Sequence, residues 1–159
     1  MTAPEDIVAR LTEVEETVAA AESITGGRLS ARLTDGPGSS KVFLGGVVSY
    51  ATEVKVKVLG VPQSVIDEHG VISGACAAAM AEGVRELLGS TYGVSTTGVA
   101  GPDTQEGQPV GTVFVGVAGP AGTEVEELSL DGDRTEIQMA TVGEAMSALG
   151  AMMDVVEGR

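Results

Sequence analysis

The sequence predicts an α/β fold in which a mixed, mostly parallel sheet is covered by helices on both faces. Three observations carry this expectation. Short runs of small and β-branched apolar residues recur at TVAAAES, VFLGGVVSY, YGVSTTGVA and TVFVGVAGP. Segments with helical periodicity separate the first three runs, as parallel neighbours require. After the fourth run, Ala121-Gly122 leads into TEVEELSL, which reads as a hairpin and supplies an antiparallel part.

Each element has its own local reason. Ile7, Leu11 and Val14 recur at helical spacing and predict an amphipathic first helix. TVAAAES reads as a short buried strand. In TGGRLSARLTDG, Thr25 is placed to cap a helix, Leu29 and Leu33 lie four apart, and Gly36 is placed to stop it. PGSS is a loop. Gly45 and Gly46, inside the second strand, mark a bulge or a close backbone approach.

Residues 52–60 predict a short helix carrying Lys55. Pro62 and Gly70 bracket another, with the proline in the first turn and the glycine at the end. Residues 73–89 form the clearest helix, with Cys76, Met80, Val84, Leu87 and Leu88 on one stripe. GPDTQEGQPVG is a long polar loop. Asp133 and Glu136 stand at capping-box spacing and open a long amphipathic final helix.

With 159 residues, 43% of them hydrophobic, the chain can bury one real core, and residues 1–159 are expected to form one domain. No segment offers the roughly 20 uninterrupted apolar residues of a membrane span, and the N-terminus is too acidic for a signal peptide. A cytoplasmic protein is expected. A single cysteine, Cys76, excludes an intrachain disulfide and a CxxC pair.

Nine basic against twenty-three acidic side chains give a net charge of -14, which argues against nucleic-acid and membrane partners. Residues 28–57 are the exception, holding Arg28, Arg32, Lys41, Lys55 and Lys57 against Asp35 and Glu53. These cations form either a solvated face or a local funnel for a small anion.

Many catalytic devices are excluded by absence. The chain has no GxxxxGK[ST] phosphate loop, no GxGxxG after a strand and no GxSxG elbow. Its one histidine, His69, stands at an expected helix end, where it interacts with terminal carbonyls. Cys76 belongs to an apolar stripe. Asp131 and Asp133 are explained by turn and capping roles, so neither a metal nor an organic cofactor is implied.

What remains is a serine chemistry without histidine. Ser23 follows a buried strand and precedes a helix, the place where open α/β sheets gather ligands. It is either a reactive group or the punctuation of a strand-to-helix turn. Gly26 and Gly27 allow close approach to the backbone donors of the helix start, which would receive either a phosphate or an oxyanion.

Lys55 lies five residues after Tyr50, beyond the second strand, and supplies a base if burial or nearby cations lower its pKa. Tyr50 would relay the proton or orient the lysine. Taken singly, Tyr50 is equally a strand-end anchor and Lys55 a solvated charge. Beyond the third strand, Gly98, Gly101 and Pro102 open a loop whose backbone donors face a ligand, and Arg134 offers an anion clamp or a surface ion pair.

AESITGG, VSYATEVKVKVLGV, TTGVAGPD with PVGTVFV, and Gly132-Asp133-Arg134 together resemble the C-terminal domain family of the competence/damage-inducible protein CinA. The resemblance runs from about residue 5 to residue 153. It implies a three-layer α/β/α sandwich, a homodimer, and deamidation of nicotinamide mononucleotide to nicotinic acid mononucleotide and ammonia. Matching the family motifs maps catalytic roles onto Ser23, Tyr50 and Lys55, and substrate contacts onto Thr97 and Arg134. The residues around them, Glu22, Thr25, Gly26, Gly27, Gly98 and Gly101, are expected to complete the substrate site.

The sequence departs from the family pattern at Thr52, where asparagine is common, and at Thr104-Gln105, where Gly-Gly is usual. Both changes bear on the pocket wall. The nucleotide-processing domain that precedes this one in longer members is not expected here. A noncatalytic nucleotide- or partner-binding module is the competing expectation.

Overall fold

The computed structural model describes residues 2–158. Its elements, in chain order, are α1 (Pro4–Glu13), β1 (Val18–Glu22), α2 (Arg28–Leu33), β2 (Phe43–Val48), α3 (Thr52–Lys57), α4 (Gln63–His69), α5 (Gly74–Leu88), β3 (Tyr92–Gly98), β4 (Thr112–Gly119), β5 (Gly122–Ser129) and α6 (Arg134–Glu157). The five strands form one sheet in the order β2-β1-β3-β4-β5. β1 runs parallel to both β2 and β3, whereas β3–β4 and β4–β5 are antiparallel. The sheet is therefore mixed as expected, but its parallel part is half of the junctions rather than most of them.

Two cores flank the sheet, which makes the architecture a three-layer α/β/α sandwich. One side buries Ile7 and Leu11 of α1, Leu29 and Leu33 of α2, and Ile137, Met146, Leu149 and Met153 of α6. The other buries Cys76, Met80 and Val84 of α5 with Leu59, Val61 and Ile72. β1 reads as an unbroken small apolar run because it is buried along its whole length between two parallel neighbours. Helix α6 is long and apolar enough, by length and composition, to cross a bilayer. Here Ile137, Val142, Met146, Leu149 and Met153 of this helix pack into the first core, while Met139 and Val155 stay exposed.

Local signals held in most places. The capping box of Asp133 and Glu136 opens α6 as expected. Ser73 caps α5 by accepting from the Cys76 amide, and Gly89 ends that helix in the left-handed conformation. Leu87 and Leu88, placed on the apolar stripe by periodicity, are instead exposed at 50% and 37%. The register against β1 skips Leu44, which is the bulge anticipated near Gly45, and a Cβ on Gly46 would collide with Ser30 Oγ. The hairpin joining β4 to β5 pairs Gly119 with Gly122, so its two-residue loop is Pro120-Ala121, and Gly122 belongs to the strand.

A further local expectation failed, and this one bears on the site. Thr25 does not cap α2, whose N-cap is Gly27 at φ +104 with no side-chain cap of its own.

Candidate active site

The C-terminal ends of β1, β2 and β3 meet at one edge of the sheet, with β1 between its two parallel partners. That arrangement is the switch point at which open α/β sheets bind ligands. Ser23 continues β1 and donates its amide to Thr96 O at 3.0 Å. Ser49 continues β2 and donates both its amide and its hydroxyl to Glu22 O, at 2.7 and 3.1 Å. A cavity of about 340 Å³ opens over these ends, lined among others by Ser23, Ile24, Lys55, Val71, Ala100 and Arg134.

Lys55 enters this cavity from α3 and is 1% exposed. Its Nζ donates to Ser23 Oγ at 2.9 Å, to Ser49 O at 2.6 Å and to Tyr50 O at 3.3 Å. An ammonium has three donors, and here each meets a neutral acceptor with no carboxylate partner. Burial accordingly pushes the lysine below its ordinary pKa of 10.5, opposed by Cys76 and Glu106. Once the amine is neutral, the two carbonyls retain its two N–H groups and its lone pair is left for the Ser23 hydroxyl. The structure thus brings together the serine and the lysine that lie 32 positions apart in sequence.

Of the two roles expected for Tyr50, relaying the proton or orienting the lysine, the contacts are those of the second. Its backbone carbonyl orients Lys55, while its phenol is at the rim, 61% exposed, and accepts from Arg134 Nη2 at 3.0 Å. Arg134 Nη1 donates to Gly101 O at 2.6 Å. The guanidinium is therefore held by neutral partners and makes no ion pair among the described residues. Gly98 and Gly101 line the cavity as expected. A side chain on Gly101 would strike Val110, and its φ of +86 favours glycine in any case.

The residues around Gly26 and Gly27 need correction. Glu22 is fully buried beneath the turn, and its carboxylate occupies the start of α2. Oε1 accepts from Thr25 Oγ1 at 2.6 Å, Leu29 N at 2.8 Å and Gly27 N at 3.1 Å. Oε2 accepts from Ser30 Oγ at 2.6 Å and Ser30 N at 2.9 Å. The Gly26 amide bonds to Ser23 O at 3.1 Å. An internal anion has taken the donors that a phosphate or an oxyanion would need, so Glu22, Thr25, Gly26 and Gly27 build the turn rather than the cavity surface.

Thr97 is also placed otherwise than expected. It is fully buried, and its hydroxyl donates to Val71 O at 2.7 Å, bracing a wall residue from behind. The cationic strip resolves mostly into the bland alternative. Arg32 pairs with Asp35 at 2.9 Å, Lys57 with Glu53 at 3.7 Å, and Arg28 reaches Thr25 O at 3.2 Å. Only Lys55 of that segment enters the cavity. The thiol of Cys76 is buried and pushed up to about 11 by burial, as suits a packing residue.

Sequence reasoning missed Ser49, Ile24 and Glu106. The role of Ser49 resides in its carbonyl, which no residue type advertises. The Ile24 amide lies directly after Ser23 and donates to no protein group among the described hydrogen bonds, while its carbonyl accepts from Gln138 Nε2 at 3.2 Å. The three departures noted in the sequence, Thr52, Thr104 and Gln105, all line the cavity.

Comparison with known proteins agrees with this architecture. A family model described as the CinA C-terminal domain matches residues 1–153. A CinA-like protein of Frankia casuarinae is 50% identical over 147 residues, covering 92% of this chain and 34% of the relative. A putative competence-damage inducible protein of a Geobacillus species is 52% identical over 135 residues, covering 84% and 32%. The chain thus spans about a third of the length of these curated relatives. Among solved structures, the competence/damage inducible protein CihA of Agrobacterium tumefaciens superposes with a TM-score of 0.89 at 34% identity, covering 93% of this chain and 92% of that one. A CinA superfamily protein of Klebsiella pneumoniae gives 0.90 at 30% identity, with 93% of each chain covered. With the parallel strand ends, the buried lysine and the glycine-lined wall all in place, the chain belongs to the CinA C-terminal domain family.

Proposed function

We propose that this chain is an amidohydrolase acting on a pyridine nucleotide, converting nicotinamide mononucleotide to nicotinic acid mononucleotide and ammonia through a covalent acyl-serine. The observation that carries the reading is the buried Lys55 amine 2.9 Å from Ser23 Oγ at the floor of an open cavity. Desolvation of the lysine is costly unless its neutral form is used, and a neutral amine beside a hydroxyl is a general base.

In the first half-reaction, Ser23 Oγ attacks the carboxamide carbon while Lys55 Nζ takes the hydroxyl proton. The tetrahedral adduct collapses with C–N cleavage, and Lys55 returns that proton to the departing nitrogen, which leaves as ammonia. Water then attacks the ester with Lys55 again as the base, releasing the acid and restoring the serine hydroxyl. The amides of Ile24 and Thr25 donate to no described group at this turn, and Ile24, which lines the cavity, offers the donor for the developing oxyanion in place of those that Glu22 occupies. Arg134, held by Tyr50 and Gly101 without a carboxylate partner, suits the anionic end of the nucleotide.

The test is direct. Purified protein incubated with nicotinamide mononucleotide should release ammonia and yield a product in which an acid replaces the amide. Full turnover by folded Ser23→Ala protein would remove Ser23 from the nucleophile role, and binding without turnover by the parent chain would favour a noncatalytic module. We further propose that the active form is a homodimer, to be read from its mass in solution.

A further inference from the structure

Glu106 lies in the loop between β3 and β4, at the tip of a miniature hairpin in which Gln105 and Gln108 bond to each other at 2.8 and 3.4 Å. The turn residues Glu106 and Gly107 have φ of +52 and +72, the left-handed pair that a two-residue hairpin needs. Glutamate is a poor choice there, since a side chain in this region carries a conformational cost that glycine escapes.

The side chain has a specific destination. Its Oε1 accepts from Ile72 N at 2.7 Å and its Oε2 from Val71 N at 3.0 Å, one oxygen for each amide. Gly70 leaves room for the carboxylate, because a Cβ there would stand 2.8 Å from Oε1. Val71 and Ile72 line one wall of the cavity, and residues 101–105 line another. Between these walls the carboxylate is a cross-link, and Thr97 ties Val71 back to β3 on the other side of the same peptide.

We propose that Glu106 is a positioning residue for this site, clamping the 99–111 loop onto the Val71–Ile72 backbone so that the substrate-binding cavity keeps a fixed width. The clamp also stations a negative charge near Lys55. The groups acting on that amine are Cys76 from α5 and Glu106 from the loop, beside its neutral contacts with Ser23, Ser49 and Tyr50. Cys76 is a neutral thiol below about 11, so Glu106 supplies the standing charge. Glu106 therefore opposes the effect of burial on the lysine and keeps its proton affinity from falling further.

The kinetic part of this inference rests on the amidase reading, whereas the clamp itself does not, and the experiment separates the two. Amide hydrogen exchange is followed by NMR in the parent chain, in Glu106→Gln and in Glu106→Asp. Glutamine leaves one acceptor where two amides need one each, and aspartate falls a methylene short. In both variants exchange at Val71 and Ile72 should quicken about tenfold or more, while core amides such as Val115 hold their rates. With nicotinamide mononucleotide as the probe, KM should rise about tenfold with plateau kcat kept within about twofold, the pattern of lost binding geometry.

The acidic limb of kcat should move to lower pH in Glu106→Gln, because removal of a negative charge makes Lys55 easier to deprotonate. It should move less in Glu106→Asp, which keeps the charge. Unchanged exchange at both amides would overturn the clamp, as would a collapse of plateau kcat at constant KM. If the parent chain does not turn over the nucleotide, the amidase reading fails while the exchange rates still decide the clamp.

Discussion

Glu22→Gln tests the internal anion on which the reactive turn is built. Five hydrogen bonds converge on the Glu22 carboxylate, three on Oε1 and two on Oε2. Glutamine preserves the shape but offers a single acceptor oxygen. If that oxygen keeps Thr25, Gly27 and Leu29, the new NH₂ group faces Ser30, whose hydroxyl can turn and accept. The Ser30 amide cannot, and an orphaned buried N–H costs about 1–3 kcal/mol. The three surviving bonds lose their ionic assistance, roughly 1 kcal/mol each.

Relief of carboxylate desolvation returns part of this, leaving a net loss of about 3 kcal/mol. For a chain of this size that lowers Tm by about 6–12 °C, measurable by circular dichroism or calorimetry. Turnover should fall as well, since Ser23 follows Glu22 directly and takes its direction from the same turn. A variant melting within about 2 °C of the parent would show that the five contacts are not acting together, and the account of the turn would fail.

Two further outcomes follow from the same geometry. Lys55→Met should cut ammonia release by about 10²–10⁴-fold. In the parent chain, kcat/KM for the proposed reaction should rise with pH along a limb whose midpoint lies below 10.5, the ordinary lysine value. The stability sign is the reverse of an ion-paired lysine. Because the folded pKa is lowered, the unfolded chain binds more protons between the folded value and 10.5, so unfolding free energy gains with pH across that window. Urea titrations should find this gain in the parent and lose it in Lys55→Met, and equal pH slopes would sink the assignment. Thr97→Val leaves Val71 O without its buried donor and should cost about 1–3 kcal/mol in chemical denaturation. A direct substrate contact by Thr97 would instead leave stability unchanged and raise KM.

Most of the architecture was legible because its signals are local. A capping box, a left-handed glycine at a helix end and a run of small apolar residues depend on neighbours within a few positions, so Asp133, Gly89 and β1 read correctly. The serine and lysine were legible as residue types in a suitable context. The errors concern polar groups with several available partners. Thr25 is a good cap by type, and Gly26-Gly27 is a good anion cradle by type. Both readings lost to Glu22, which is closer to the same donors than any ligand and does not dissociate.

The sequence by itself determined which chemistry this chain has at hand: a single histidine at a helix end, Ser23 at a strand end, Lys55 beyond the next strand, and the helices and strands that carry them. Only the tertiary structure decided that the lysine is buried against that serine, that Tyr50 serves through its carbonyl, and that Glu106 ties two cavity walls together. The physical reason is that a hydrogen bond or a desolvation cost belongs to a place in space. The serine and its lysine, and Glu106 and the two amides it holds, lie 32 to 35 residues apart along the chain, beyond the reach of any local pattern.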